Sequence, residues 1–172
     1  MDWLDYDTGN CSVQRALEVM GDRWSVLVLR EVFHGVRRFD QIRRHTGMSE
    51  SVLAARLRHL VGAGVLTTAE YQEAGARARR EYRLTPAGLD LQPALIALLQ
   101  WGDKHRAGPE GPALVVEHRG CDAKVSAVLE CADGHRLTGP EQVRSVPGPG
   151  ARVAPAQSTP TAPSGPIVEH SG

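Results

Sequence analysis

From residue 12 to residue 63 apolar side chains recur at helical spacing, and beyond residue 64 that spacing changes. Val13, Ala16, Leu17 and Met20 fall at i, i+3, i+4 and i+7 and predict a first helix over about Ser12 to Met20. Gly21-Asp22 ends it, and Asp22 is placed to cap the next helix by accepting from its free N–H groups. That second helix, Trp24 to Phe33, is apolar on most sides and is read as the central, buried one. His34-Gly35 breaks it. A short helix from about Phe39 to His45 follows, with Phe39 and Ile42 facing in. Thr46-Gly47 is a turn. Ser49 then caps a longer helix whose core stripe is Leu53, Leu57, Leu60 and Val61. Gly64 suits the left-handed position just past its end.

Val65 to Tyr71 and Arg80 to Leu84 read as two strands joined by a Gly- and Ala-containing loop. Thr85-Pro86 is a helix start, a capping Thr followed by Pro at the first helical position. Leu91, Leu95, Leu98, Leu99 and Gly102 give that helix an apolar face reaching Trp101 and His105, and Pro93 bends it or delays its real start. Residues 108–112 are a linker. Residues 113–118 and 125–131 alternate and predict a hairpin. After Ser145 the chain is rich in Pro, Gly, Ser and Ala, a composition that predicts disorder.

The expected organisation is therefore a flexible acidic arm over residues 1–10, a packed domain over 11–106, a β-hairpin extension over 107–144 and a disordered tail over 145–172. The fold class is mainly α with a small β wing, a winged helix-turn-helix. All eight aromatic residues precede residue 102, which places the packed core in the first part of the chain.

Charge sharpens this picture. The whole chain is neutral, yet residues 23–83 carry twelve Arg against six acids. The charge is sorted, and a basic face around a helix-turn-helix with a wing fits duplex DNA. Eighteen of the twenty basic residues are Arg, which suits bidentate phosphate recognition, although a GC-rich coding sequence gives the same ratio. No secretory signal or apolar run long enough for a membrane is visible, and three cysteines form no disulfide framework. The expectation is a cytoplasmic protein with reduced thiols. No phosphate-binding glycine loop, nucleophile elbow or His-Glu-x-x-His occurs, so an enzyme is not expected.

On a helical wheel, with Leu53 inward, Ser51, Ala55, Arg58 and Gly62 point outward from the 49–62 helix. That outer side is narrow enough to enter a major groove. Ser49 and Ser51 at the helix start and Arg58 are candidates for base or phosphate contact, with Ala54 and Ala55 positioned for thymine methyls. Glu50 favours the helix N-terminus but repels phosphate. Arg37, Arg38, Arg43 and Arg44 surround the short helix that crosses the backbone, and Arg77, Arg79 and Arg80 lie at the wing tip. Arg56 flanks the core stripe and is expected to support the wing or an acidic partner. An ordinary solvated helix face is the plain reading of these residues, and a winged helix used only for protein contacts, without DNA binding, is the rival function.

Several segments together resemble the HxlR-like family of bacterial transcription regulators, winged-helix proteins related in architecture to the MarR group. They are Cys11-Ser12-Val13, Gly21-Asp22-Arg23-Trp24, Leu27 to Arg30, Gly35 to Phe39, Ser49 to Leu53, Arg56-Leu57, Leu60 to Gly64, Glu81-Tyr82, Leu84-Thr85, Gly88 and Trp101. The resemblance spans roughly residues 11–105. It implies a homodimer on a pseudo-palindromic operator, usually as a repressor, released by thiol modification or a small-molecule inducer. It also implies a sensor role for Cys11, which stands at the start of the first helix, a setting that makes cysteines reactive as a class. A small buried filler is the other reading of Cys11. The apolar faces of the 12–20 and 86–105 helices exceed what one small domain covers and are read as the dimer seam; the alternative is that residues 107–140 fold back and cover them within one chain. In the extension, His118-x-x-Cys121 and Cys131-x-x-x-His135 form a candidate four-ligand set of the kind zinc favours; a plain β-hairpin is the alternative.

Overall fold

Capping chemistry sets the helix boundaries in the computed structural model of this chain, which describes residues 3–72 and 79–154. Helix α1 (Ser12–Met20) is followed by α2 (Arg23–Phe33), whose N-cap Asp22 accepts from the N–H groups of Trp24 and Ser25 at 2.9 and 3.1 Å. Helix α3 (Phe39–Thr46) ends on Gly47, whose φ of +70° is open to glycine and strained for other residues. Helix α4 (Glu50–Gly62) starts from Ser49, whose Oγ accepts from the Val52 N–H. Strands β1 (Leu66–Tyr71) and β2 (Arg79–Leu84) form an antiparallel pair in register from Leu66 opposite Leu84 to Tyr71 opposite Arg79. Thr85 caps the one-turn helix α5 (Pro86–Leu89), and α6 (Gln92–Arg106) then begins. Pro93 sits in the first turn of α6, so it delays the helix and does not kink it.

The core draws on all the leading elements. Val28, Leu29 and Val32 of α2, Ile42 of α3, Leu53, Leu57 and Leu60 of α4, and Met48, Val65 and Leu66 are buried together. Trp24, Leu27, Phe39, Leu84, Leu91 and Leu95 pack against them. Each fully buried aliphatic side chain contributes roughly 1.5–3 kcal/mol. The three leucines of α4 therefore fix which way the opposite side of that helix points.

Two arrangements were beyond local pattern. Arg38 forms an antiparallel bridge with Glu81, and the Tyr82 N–H donates to the Arg37 carbonyl at 2.8 Å, so the start of α3 adds a short third edge to the wing. In the extension, the hairpin expected over 113–118 and 125–131 forms only beside its turn, where the Val125 N–H donates to the Val116 carbonyl at 2.9 Å, and a second short reversal follows it. Glu117 bridges Lys124, and β3 (Leu129–Glu130) pairs with β4 (Arg136–Leu137). The reason is local: Asp122 at φ +54° turns the chain within the expected loop, but Gly134 at φ +80° turns it again just past residue 131, so residues 129–130 pair onward with 136–137. Gln100 of α6 clamps the extension. Its Nε2 donates to the Val125 carbonyl at 2.7 Å and its Oε1 accepts from the Ala127 N–H at 2.9 Å.

Residues 12–145 form one unit, and the described parts of 1–11 and 146–172 form another. Within the second unit the arm expected to be loose is paired. The Asp7 N–H donates to the Arg152 carbonyl at 2.9 Å and the Ala154 N–H to the Asp5 carbonyl at 2.8 Å. The disorder expected further along the tail falls on residues 155–172, outside the described residues, as does Arg77 in the wing loop. Among the described residues no helix is long and apolar enough to cross a membrane.

Candidate nucleic-acid interface

Because Leu53, Leu57 and Leu60 are buried, α4 turns Ser51 and Arg58 to solvent. Ala54 and Ala55 lie half-buried beside them, small enough to leave that side of the helix narrow. Ser49 and Ser51 place their hydroxyls 3.2 Å apart at the helix start. Arg43 of α3 reaches Glu50 at 3.4 Å, which offsets the one carboxylate on the leading turn.

The arginines expected around α3 and the wing fall into two groups. Arg43 and Arg44 line an open depression of about 460 Å³ at the α3–α4 turn, with Asp40, Gly47 and Met48. Arg38, Arg79 and Arg80 line a second of about 470 Å³ between α3 and the wing, with Tyr71 and Tyr82. The Arg38 guanidinium stacks 4.4 Å from the Tyr71 ring centre. Among the described residues Arg37, Arg44, Arg58, Arg79 and Arg80 form no ion pair, whereas Arg83 is engaged by Glu81 at 2.6 Å.

Two carboxylates, Asp22 and Glu31, hold these elements together, and neither was legible in the sequence as part of an ion pair. Arg56 contacts Asp22 at 3.0 Å, tying α4 to the cap of α2, so the acidic partner expected for Arg56 is Asp22. Burial pushes the Asp22 carboxyl up, and hydrogen bonds from Ser25 and Arg56 outweigh it and hold it below its ordinary value. Glu31 is 1% exposed. Its Oε1 accepts from Arg30 at 2.6 Å and its Oε2 lies 2.6 Å from His45 Nδ1, joining α2 to the end of α3. Burial again pushes this carboxyl up, and the contacts from Arg30 and His45 outweigh it, leaving it below its ordinary value.

Elsewhere, Cys11 is a free, half-buried thiol immediately before α1. The expected four-ligand set stands as two pairs. His118 Nδ1 is 3.3 Å from Cys121 Sγ, and Cys131 Sγ is 3.5 Å from His135 Nδ1. Asp133 joins the latter, all three ligand atoms lying within 4.8 Å of one another. Sequence reasoning passed over Asp133.

A chain with this geometry has recognisable relatives. Residues 19–109 match the family described as HxlR-like helix-turn-helix. The uncharacterized HTH-type transcriptional regulator Rv3095 of Mycobacterium tuberculosis is 43% identical over 148 residues, 86% of this chain and 92% of that protein. The uncharacterized HTH-type transcriptional regulator sll1512 of Synechocystis is 38% identical over 99 residues, 56% of this chain and 72% of its own length. The crystal structure of PA1607, a candidate transcription factor, superposes with a TM-score of 0.72 at 34% identity, covering 80% of this chain and 95% of that one. The oxidized form of the redox regulator HypR gives a TM-score of 0.50 at 25% identity, covering 57% of this chain and all of its own. The chain belongs to the HxlR-like helix-turn-helix family and is a transcriptional regulator with that fold, not an enzyme.

Proposed function

We propose that the protein is a cytoplasmic repressor that binds a pseudo-palindromic operator in double-stranded DNA as a homodimer. The observation that carries this reading is the outward side of α4. It is thin, it bears Ser51 and Arg58, and arginines from α3 and the wing flank it. A helix of that profile enters the major groove, where Arg58 reaches base edges or phosphate and Ala54 and Ala55 lie close to thymine methyls. Ser49 and Ser51 present hydroxyls at the helix N-terminus, the end that favours phosphate. Arg43 and Arg44 meet the backbone on one side of the groove. Arg37, Arg38, Arg79 and Arg80 meet it on the other.

One winged helix spans too few base pairs for a unique genomic address, so the site is doubled by symmetry. Val13 and Leu17 of α1 and Leu98 and Trp101 of α6 are each more than half exposed and supply the apolar surface of the seam. Release from DNA follows modification of Cys11, whose exposure permits reagent access, in keeping with the redox role in HypR's name. A cavity of about 500 Å³ between α2, α6 and residues 114–119, walled by Leu27, Phe33, Leu95, Ile96 and Val115, suits an apolar inducer.

The test is binding of the full chain to duplex DNA carrying the region upstream of its own gene, against a shuffled duplex, across a salt series. The reading expects preference for the upstream duplex and affinity that falls steeply as salt rises. Equal, salt-insensitive affinity for the two duplexes would overturn it.

A further inference from the structure

The lining of the cavity between α2, α6 and residues 114–119 is sorted by polarity. Nine of its fifteen lining residues are aliphatic, and Phe33 is aromatic. The other five are Arg30, His34, Gln92, Glu117 and Arg119. On each wall the polar members stand to one side of the apolar ones. Val26 and Leu27 precede Arg30 and His34 on the first wall. Gln92 precedes Leu95, Ile96 and Leu99 on α6, and Leu114 to Val116 precede Glu117 and Arg119 on the third. That third wall runs back along α6. A neighbouring cavity of about 190 Å³ sets Leu99 and Asp103 of α6 against Pro112 and Leu114, whereas Gln92 and Arg119 line only the larger one. Later residues of the segment thus meet earlier residues of α6, which brings Glu117 and Arg119 to the end where Gln92 stands.

Charge at that end favours an anion. Glu117 is the one carboxylate on the lining, and it stands directly across an antiparallel bridge from Lys124, an opposite charge at pairing distance. Arg30 gives its Nε and Nη2 to Glu31, whose other oxygen lies against His45, so that carboxylate is already satisfied. Arg119 forms no ion pair among the described residues. A guanidinium recognises a carboxylate through two parallel hydrogen bonds. The aliphatic side chains of the walls offer no hydrogen bond to polar groups along a ligand's body, which selects plain hydrocarbon there. Leu114 and Val115 line the cavity yet stay 41% and 45% exposed, so an apolar body beside them removes their surface from water.

We propose that this cavity binds an aliphatic carboxylic acid in its ionised form, with the hydrocarbon along Leu27, Ile96 and Val115 and the carboxylate at Arg119. This rests on the reading of the cavity as an inducer site and names the class of ligand. The bound acid fastens the extension to the helices. Among the described residues from 107 to 145 none is fully buried, and the Gln100 bonds to Val125 and Ala127 hold the segment to α6 alone. A hydrocarbon between Leu27, Ile96 and Val115 joins it to α2 as well.

The full chain, free of DNA, is titrated by calorimetry with decanoate, decanol and decyltrimethylammonium. Decanoate should saturate one site per chain and bind about tenfold or more tighter than decanol, the usual advantage of a hydrogen bond to a charged group. The cationic amphiphile should bind more weakly than either. Arg119→Gln should abolish the preference for decanoate while leaving decanol affinity as it was. Ile96→Trp puts a larger side chain into the cavity and should weaken both, with the helical circular dichroism retained because Ile96 lies outside the core cluster. Equal affinity for the three compounds, a preference that survives in Arg119→Gln, or binding indifferent to Ile96→Trp would overturn the proposal. So would decanoate affinity that falls as protein concentration rises, which would mean that a second copy covers the cavity. No DNA enters these titrations, so their outcome is separate from that of operator binding.

Discussion

Arg58 and Glu31 illustrate two different uses of charge. Arg58 lies on the exposed side of α4 and makes no ion pair among the described residues. Replacing it with Ala should cost the operator complex about 1–3 kcal/mol, a ten- to hundredfold rise in Kd, if it reads a base edge. Sedimentation should show the oligomeric state of the free protein unchanged. Glu31 is instead sealed between Arg30 and His45. Its folded-state pKa lies below the ordinary value, so its ionised form contributes stability above the unfolded pKa of about 4.3, and that contribution is lost as pH falls through the lower folded value. Unfolding by denaturant should therefore show the parent losing stability below about pH 4.3. Glu31→Gln should be less stable than the parent at neutral pH by about 1–3 kcal/mol and should show a shallower acid slope. An identical acid slope in the variant would remove Glu31 from the account.

The elements were legible in proportion to how local their causes are. Asp22, Ser49 and Thr85-Pro86 announce α2, α4 and α5 because a cap is a contact between neighbours in sequence. The buried stripe of α4 follows from leucine spacing alone. The junction of Arg37 and Arg38 with Glu81 and Tyr82 joins residues more than forty positions apart, and no periodicity encodes it. The same holds for the grip of Gln100 on Val125 and Ala127. The far end of the extension misled for another reason: Gly134 reverses the chain a second time through a left-handed conformation that alternation does not register. Gly88 shows such a non-local constraint in a single residue. A Cβ there would run into the Val65 carbonyl oxygen, at the point where α5 crosses the start of β1. Gly88→Ala should destabilise the fold by about 1–3 kcal/mol through displaced backbone, measured as a lower denaturation midpoint. If the midpoint stays put, α5 does not press on the wing root as closely as this.

For the whole molecule, charge and apolar surface set separate quantities, and DNA binding depends on both. Each phosphate contact contributes about 0.9 to the slope of log affinity against log salt. Arg79→Ala with Arg80→Ala should flatten that slope by nearly two for each half-site without changing which sequence is preferred. The proposed seam would act differently, by setting how many half-sites are engaged at once. Leu17 of α1 is 57% exposed and Trp101 of α6 is 54% exposed, so the free chain leaves both in water. A pair of large apolar side chains on the two helices with least core contact is the surface a second copy would cover. Leu17→Glu with Trp101→Glu would bury carboxylates at that contact and should yield a monomer by sedimentation, with the helical signal intact. A monomer still carries a complete α4 and wing, so a single half-site should bind it as it binds the parent. On the full operator the variant should lose at least about a hundredfold, the advantage of linking two sites. A variant that remains dimeric would move the seam to another face. One that becomes monomeric yet keeps full operator affinity would mean that a lone winged helix suffices, and the symmetric operator would go with it.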